Sequence, residues 1–157
     1  MSAKHCLLLA TIFGFLAVLL GAFGAHGLSD TKYLKDKYAD MKPKDVSGLT
    51  VPAGYKYLQD FKTGVRYHMW HTLAMFGTGL LMLRAPSRLL SAAAWCFAGG
   101  IILFSGALYV LVILGPKFGG ITWGMVAPIG GTLLLVAWLL LCISVFRMQL
   151  VEEADKV

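Results

Sequence analysis

Residues 89–114 read LLSAAAWCFAGGIILFSGALYVLVIL, an unbroken run from Leu89 to Leu114 without one Asp, Glu, Lys or Arg. A helix needs about 20 apolar residues to cross about 30 Å of hydrocarbon. Bilayer hydrocarbon excludes charge to this degree, and a water-soluble core does not demand it. Three further stretches carry the same mark: Leu7–Ala25, Tyr67–Leu83 and Ala127–Phe146. The connections between them fit. Arg84 to Arg88 is a tight turn, which makes the second and third spans antiparallel neighbours. Gly115–Val126 is a glycine-rich loop whose Phe118 and Trp123 suit the membrane interface. Pro128 falls at the first position of the last span, where its missing N–H costs nothing. His26–Arg66 is the one long extramembrane loop. The expected fold is all-α: one domain over residues 1–157, an integral membrane four-helix bundle with a short interfacial helix in the first loop.

Composition agrees. Of 157 residues 58% are hydrophobic and 14% charged, with a mean hydropathy of +0.73, whereas a soluble domain carries about 25% charged residues. Every Asp and Glu lies between Asp30 and Asp60 or between Glu152 and Asp155. The net charge of +6 does not point to nucleic acid, because the basic residues flank apolar runs or mix with aspartates in one loop. Anionic lipid head groups account for them. Cys6, Cys96 and Cys142 form no C-x-x-C pair and read as small apolar fillers. Lys4, the apolar run after it and Ala22-Phe23-Gly24 have the outline of a cleaved signal peptide. Against that, Ala17, Gly21 and Ala25 recur every fourth residue, the spacing that lets helices approach closely in lipid, so the first helix is expected to be retained.

Charge also bears on orientation. Lys4, Arg84, Arg88, Arg147 and Lys156 lie on one side, and a larger set that includes Lys32, Lys44, Lys62 and Lys117 on the other. A plain count of basic residues puts the long loop inside. The arginines beside the tight turn and the signal-like start favour termini in the cytoplasm, and that is the expectation here. Within the long loop, Ser29 or Asp30 is expected to cap a helix in which Leu34, Tyr38 and Met41 share one face, with Lys32, Lys35 and Lys42 towards water. That face either rests on the membrane or docks a partner. Pro43 ends it, and Leu58, Phe61 and Val65 form a stripe leading into the second span.

The chemical signal is a set of histidines. His26 ends the first span while His68 and His71 begin the second, so all three are expected near one membrane face. His68 and His71 are three residues apart and share a helix face that continues through Ala74, Met75 and Thr78. The opposite stripe, Met69, Leu73, Phe76 and Leu80, is bulky and apolar, so the histidines are expected to point inward. The third span returns Ser105 and Tyr109 to the same layer, and Tyr67 and Gly130-Gly131 lie beside it. A pocket lined by His26, His68, His71, Ser105 and Tyr109 has three readings. The histidines hold a metal or a haem iron; a histidine with the tyrosine takes a quinone head group; or no cofactor binds and the side chains only hydrogen-bond across helices. H-x-x-H alone does not decide among them. There is no G-x-S-x-G, no phosphate loop and no intramembrane acid to serve a proton-coupled exporter.

Four blocks carry a resemblance: Leu20-Gly21-Ala22-Phe23-Gly24-Ala25-His26-Gly27-Leu28, Thr63-Gly64-Val65-Arg66-Tyr67-His68-Met69-Trp70-His71-Thr72-Leu73-Ala74, Phe104-Ser105-Gly106-Ala107-Leu108-Tyr109 and Ala127-Pro128-Ile129-Gly130-Gly131. They resemble the signatures of the small membrane proteins called domain of unknown function 423, which have bacterial inner-membrane members and a similar human protein. The resemblance covers all four spans in order and implies a retained first helix and a helical bundle. It implies no activity. It weakens between Ser29 and Lys62, where this loop is longer than expected of the family, and at His68, where members commonly carry glutamine. Glutamine there suits hydrogen bonding better than metal ligation. The sequence thus indicates a non-enzymatic inner-membrane protein, a structural or accessory subunit meeting the bilayer and other membrane subunits. The contrary reading is a protein binding a metal, haem or quinone.

Overall fold

The computed structural model describes residues 1–29 and 32–154, with side chains as far as Met148. Helix α1 spans Ala3–Ala22 and passes into a π-helical segment, Phe23–Ser29. A short α2, Tyr33–Lys37, leads to a hairpin of β1, Lys44–Val46, and β2, Leu49–Val51. Helix α3 then runs unbroken from Ala53 to Arg84. After a turn come α4, Arg88–Ile101, a second π-helical segment, Ile102–Gly106, and α5, Ala107–Ile113. The chain closes with α6, Trp123–Ala154. Serines start two of these helices as their sequence permits: Ser2 accepts from the His5 N–H at 3.3 Å and Ser87 from the Leu90 N–H at 3.1 Å.

The long helices pack in the order α1, α3, α4, α6. Against α3, α1 presents a seam of small residues, with Cys6, Ala10, Ala17 and Gly24 buried and the Cys6 thiol donating to the Met75 carbonyl at 3.3 Å. Helix α6 and the second π segment approach more closely still. A Cβ on Gly130 would lie 2.2 Å from the backbone nitrogen of Phe104, so only glycine fits that crossing. The core joins all four through Cys6, Ala10, Met75, Met82, Leu90, Phe97, Ile101, Leu134 and Ala137.

Three stretches are long and apolar enough to cross a membrane by themselves: Ala3–Ser29, Arg88–Ile113 and Trp123–Met148. Helix α3 is absent from that set because its apolar half includes His68, His71, Thr72 and Thr78. These are all buried, while Leu73, Phe76 and Leu80 face out, as the stripes predict. At about 1.5 Å per residue α3 is also longer than a bilayer needs, and its first turns rise beyond the aromatic level of Tyr67 and Trp70.

That projecting end carries a cap. Leu34 and Tyr38 of the first loop pack with Leu28, Ala53, Tyr57 and Phe61 over Leu111 and Val112 of α5. The Tyr38 hydroxyl donates to the Leu111 and Val112 carbonyls at 3.2 and 2.8 Å, and Lys37 donates to the Ile113 carbonyl at 2.5 Å. These are carbonyls that a helix end leaves without intrahelical partners. The stripe expected to face membrane or partner is therefore turned inward: Leu34 and Tyr38 are buried, and only Met41 remains exposed. The bundle end offers apolar contact and orphan acceptors together, which the membrane surface does not. Ser29 does not cap α2 but donates to the Gly24 carbonyl at 2.9 Å, and Lys32 holds the cap position without a side-chain bond. Asp30, the other expected cap, and Lys156 lie outside the described residues.

Pro128 likewise departs from expectation. It is inside α6, five residues after the start at Trp123. The carbonyl it leaves without a donor is that of exposed Gly124, near the interface where water can satisfy it. The hairpin is not anticipated from the sequence pattern. Its signal is the two-residue turn Ser47-Gly48, with φ of 52° and 80°, the left-handed pair a tight hairpin requires.

Candidate functional site

Where α3 meets the second π segment and α5, His68, Ser105 and Tyr109 form one polar layer, and Thr72 follows one turn beyond His68 against Gly14 of α1. Each has a local cause. His68 and Thr72 are four apart on the inward face of α3. Gly64, one turn earlier, lets α5 close in, and a Cβ there would lie 3.0 Å from the Tyr109 ring. The π winding of Ile102–Gly106 adds about one residue to the turn and re-aims the side chains of α5 beyond it.

His68 Nδ1 and the Tyr109 hydroxyl are 3.2 Å apart, and the imidazole meets the Phe13 ring of α1 edge-on at 5.7 Å. With the phenol donating, the ring proton is on Nε2. That Nε2, Thr72 Oγ1 and Ser105 Oγ are buried without a hydrogen-bond partner. Leaving a buried polar atom unpaired costs about 1–3 kcal/mol, so this layer is not explained by folding energetics alone.

His71 takes a different direction. Its Nδ1 is 2.7 Å from the Tyr67 carbonyl, and a carbonyl only accepts, so Nδ1 carries the proton. Its ring stacks on Tyr67 at 5.5 Å and meets Phe97 and Trp138, towards α4 and α6. His26 lies on the first π segment and is exposed. The expected five-residue pocket thus divides: His68, Ser105 and Tyr109 come together, His71 on the same inward face turns to α4 and α6, and His26 lies on the exposed first π segment. Among the described residues no three His, Cys, Asp or Glu side chains gather as metal ligands. The residue missed was Thr72, whose place one turn beyond His68 on the inward face could have marked it.

Apolar helices of membrane-crossing length, a small extramembrane cap and polar side chains turned to the core define an all-α integral membrane protein. A family model described as "Protein of unknown function (DUF423)" matches residues 20–131, and the chain belongs to that family. It is 32% identical over 145 residues to the UPF0382 membrane protein YwdK of Bacillus subtilis, covering 92% of this chain and 98% of that one. It is 32% identical over 149 residues to the UPF0382 inner membrane protein YgdD of Escherichia coli, covering 95% of each. A Haemophilus influenzae UPF0382 membrane protein is 35% identical over 142 residues, 90% of this chain and 93% of that one. No solved structure matches the chain. The matched region contains both π segments and Gly130.

Proposed function

We propose that this protein is a non-enzymatic inner-membrane protein serving as a structural or accessory subunit of a larger membrane assembly. The observation that supports it is how unequally the helices use their surfaces. In Arg88–Ile113, 44% of the most apolar window is buried, against 17% in Ala3–Ser29 and 22% in Trp123–Met148. Helices α1 and α6 stand at the two ends of the packing order and turn Phe15, Leu19, Leu135 and Leu139 outward. Two edge helices with free faces are suited to packing beside other membrane helices, and no acid lies between Asp60 and Glu152 to support proton chemistry. In this reading α3 crosses the bilayer as the fourth span, and both termini share the cytoplasmic side with Arg84 and Arg88. The contrary reading keeps its quinone form in the His68–Tyr109 pair, while a metal or haem shared by the histidines is not favoured by rings that turn to Tyr109 and to the Tyr67 carbonyl.

The test is extraction in mild detergent followed by native electrophoresis and cross-linking in intact membranes. The wild type is expected to migrate with partners, and Leu135→Ala with Leu139→Ala to weaken that association. A lone monomer by both measures overturns the proposal. A near-stoichiometric metal or chromophore, lost in His71→Ala, would replace it with the cofactor reading.

A further inference from the structure

Beside the cap, the end of α1 and the outer turns of α3 diverge to leave a crevice of about 420 Å³. Its walls are Gly21 and Ala25 on one helix and Phe61 and Val65 on the other, all apolar or small. Lys62 and Arg66 close its rim. They are four residues apart, so they stand one above the other on the same face of α3, and both are exposed. The ion pair formed among the described residues on this stretch, Lys56 with Asp60 at 2.5 Å, lies further from the bilayer and leaves the two rim cations to other anions.

Depth identifies the occupant. Arg66 immediately precedes Tyr67 and lies one turn before Trp70, and both aromatic side chains are exposed at the level where such rings mark the edge of the hydrocarbon. Arg66 at the edge of that level and Lys62 one turn outside it stand at the height of lipid phosphates. At the inner end of the crevice Gly21 faces Val65 at the height of Arg66, where an acyl chain would start inward. A soluble anion would use the cations and leave the crevice empty; a neutral lipid would use the crevice and leave two charges without partners.

We infer that the α1–α3 crevice is a binding site for one anionic phospholipid, its phosphate held by Lys62 and Arg66 and one acyl chain lying over Gly21, Ala25 and Val65. The site differs from the histidine layer and does not depend on the accessory-subunit reading.

The test is native mass spectrometry and thermal unfolding of the detergent-purified protein titrated with phosphatidylglycerol, phosphatidylcholine or glycerol phosphate. One phosphatidylglycerol is expected to bind in preference to phosphatidylcholine and to raise the unfolding temperature. Lys62→Gln with Arg66→Gln should weaken that binding roughly ten- to thirtyfold, while Lys117→Gln, on the loop before α6, leaves it unchanged. Ala25→Leu keeps both cations and fills the crevice, so it should also weaken binding, and it carries the test if the double variant fails to fold. Equal binding of the two lipids, or full binding by the double variant and by Ala25→Leu, overturns the inference. So does glycerol phosphate competing as well as the lipid, which would make this a site for free phosphate esters.

Discussion

The cap and the histidine layer are two polar regions built on opposite terms. In the cap the notable polar groups meet defined partners: Tyr38 and Lys37 donate to carbonyls at the end of α5, and Lys56 pairs with Asp60. Water is close by, so any group left over could be solvated. In the layer, deeper and without that recourse, His68 Nε2, Thr72 Oγ1 and Ser105 Oγ are left unpaired. The difference teaches which polar atoms serve the fold. The cap's hydrogen bonds stabilise it. The layer's orphaned atoms work against stability, and their presence is evidence of a role other than folding.

Three substitutions test that contrast. Gly130→Leu should have the largest effect, because its side chain would enter the backbone of Leu103 and Phe104, inside the π segment that carries Ser105. We expect a loss of about 3 kcal/mol or more, or failure to accumulate in the membrane; near wild-type thermal unfolding in detergent would show that the layer's frame is not rigid. Tyr38→Phe removes the cap's central donor and should cost about 1 kcal/mol, with faster proteolysis of the first loop.

The same residue predicts an alkaline limit. Burial, followed by the neighbouring Tyr57 and Tyr33, pushes the Tyr38 phenol up to about 12 from 10.0. A raised folded-state pKa favours the neutral phenol, so its stabilisation is complete below about pH 10 and is lost as pH rises towards 12. Thermal unfolding followed from pH 9 to 12 should show this decline in the wild type. A shallower decline is expected in Tyr38→Phe, and parallel curves would count against it. Ser105→Ala should have the smallest effect and the opposite sign. Deleting a hydroxyl that lacks a partner is expected to be neutral or to stabilise by up to about 1 kcal/mol. A clear destabilisation would mean that Ser105 is paired after all, and the contrast between the regions would fail.

Periodicity accounts for most of the structure that was legible in the sequence. The inward face of α3 could be read because His68, His71, Met75 and Thr78 alternate at helical spacing with Leu73, Phe76 and Leu80. The turn at Arg84–Arg88 was legible for a similarly local reason. The failures arose where a second partner decided the outcome. An amphipathic stripe at Leu34 and Tyr38 says that one face seeks apolar contact, but not that Leu111 and Val112 provide it rather than lipid. The expected place of His26 follows from its height at the end of the first span, which says nothing of the direction its side chain takes. It lies on wider π winding, which alters the direction of every side chain from Phe23 onward.

That winding has a consequence for how such a chain tolerates insertions and deletions. A π segment is equivalent to one residue added to an α-helix, absorbed as a local widening rather than as a loop. Removing one residue from Ile102–Gly106, such as the exposed Ile102, would return the stretch to ordinary pitch and keep a continuous helix. Because the widening had absorbed that residue, α4 and α5 would keep their relative facing. Tyr109 would stay beside His68 and the helix would stay continuous, so a single lost codon here would spare the polar pair, whereas one lost from α4 or α5 would not.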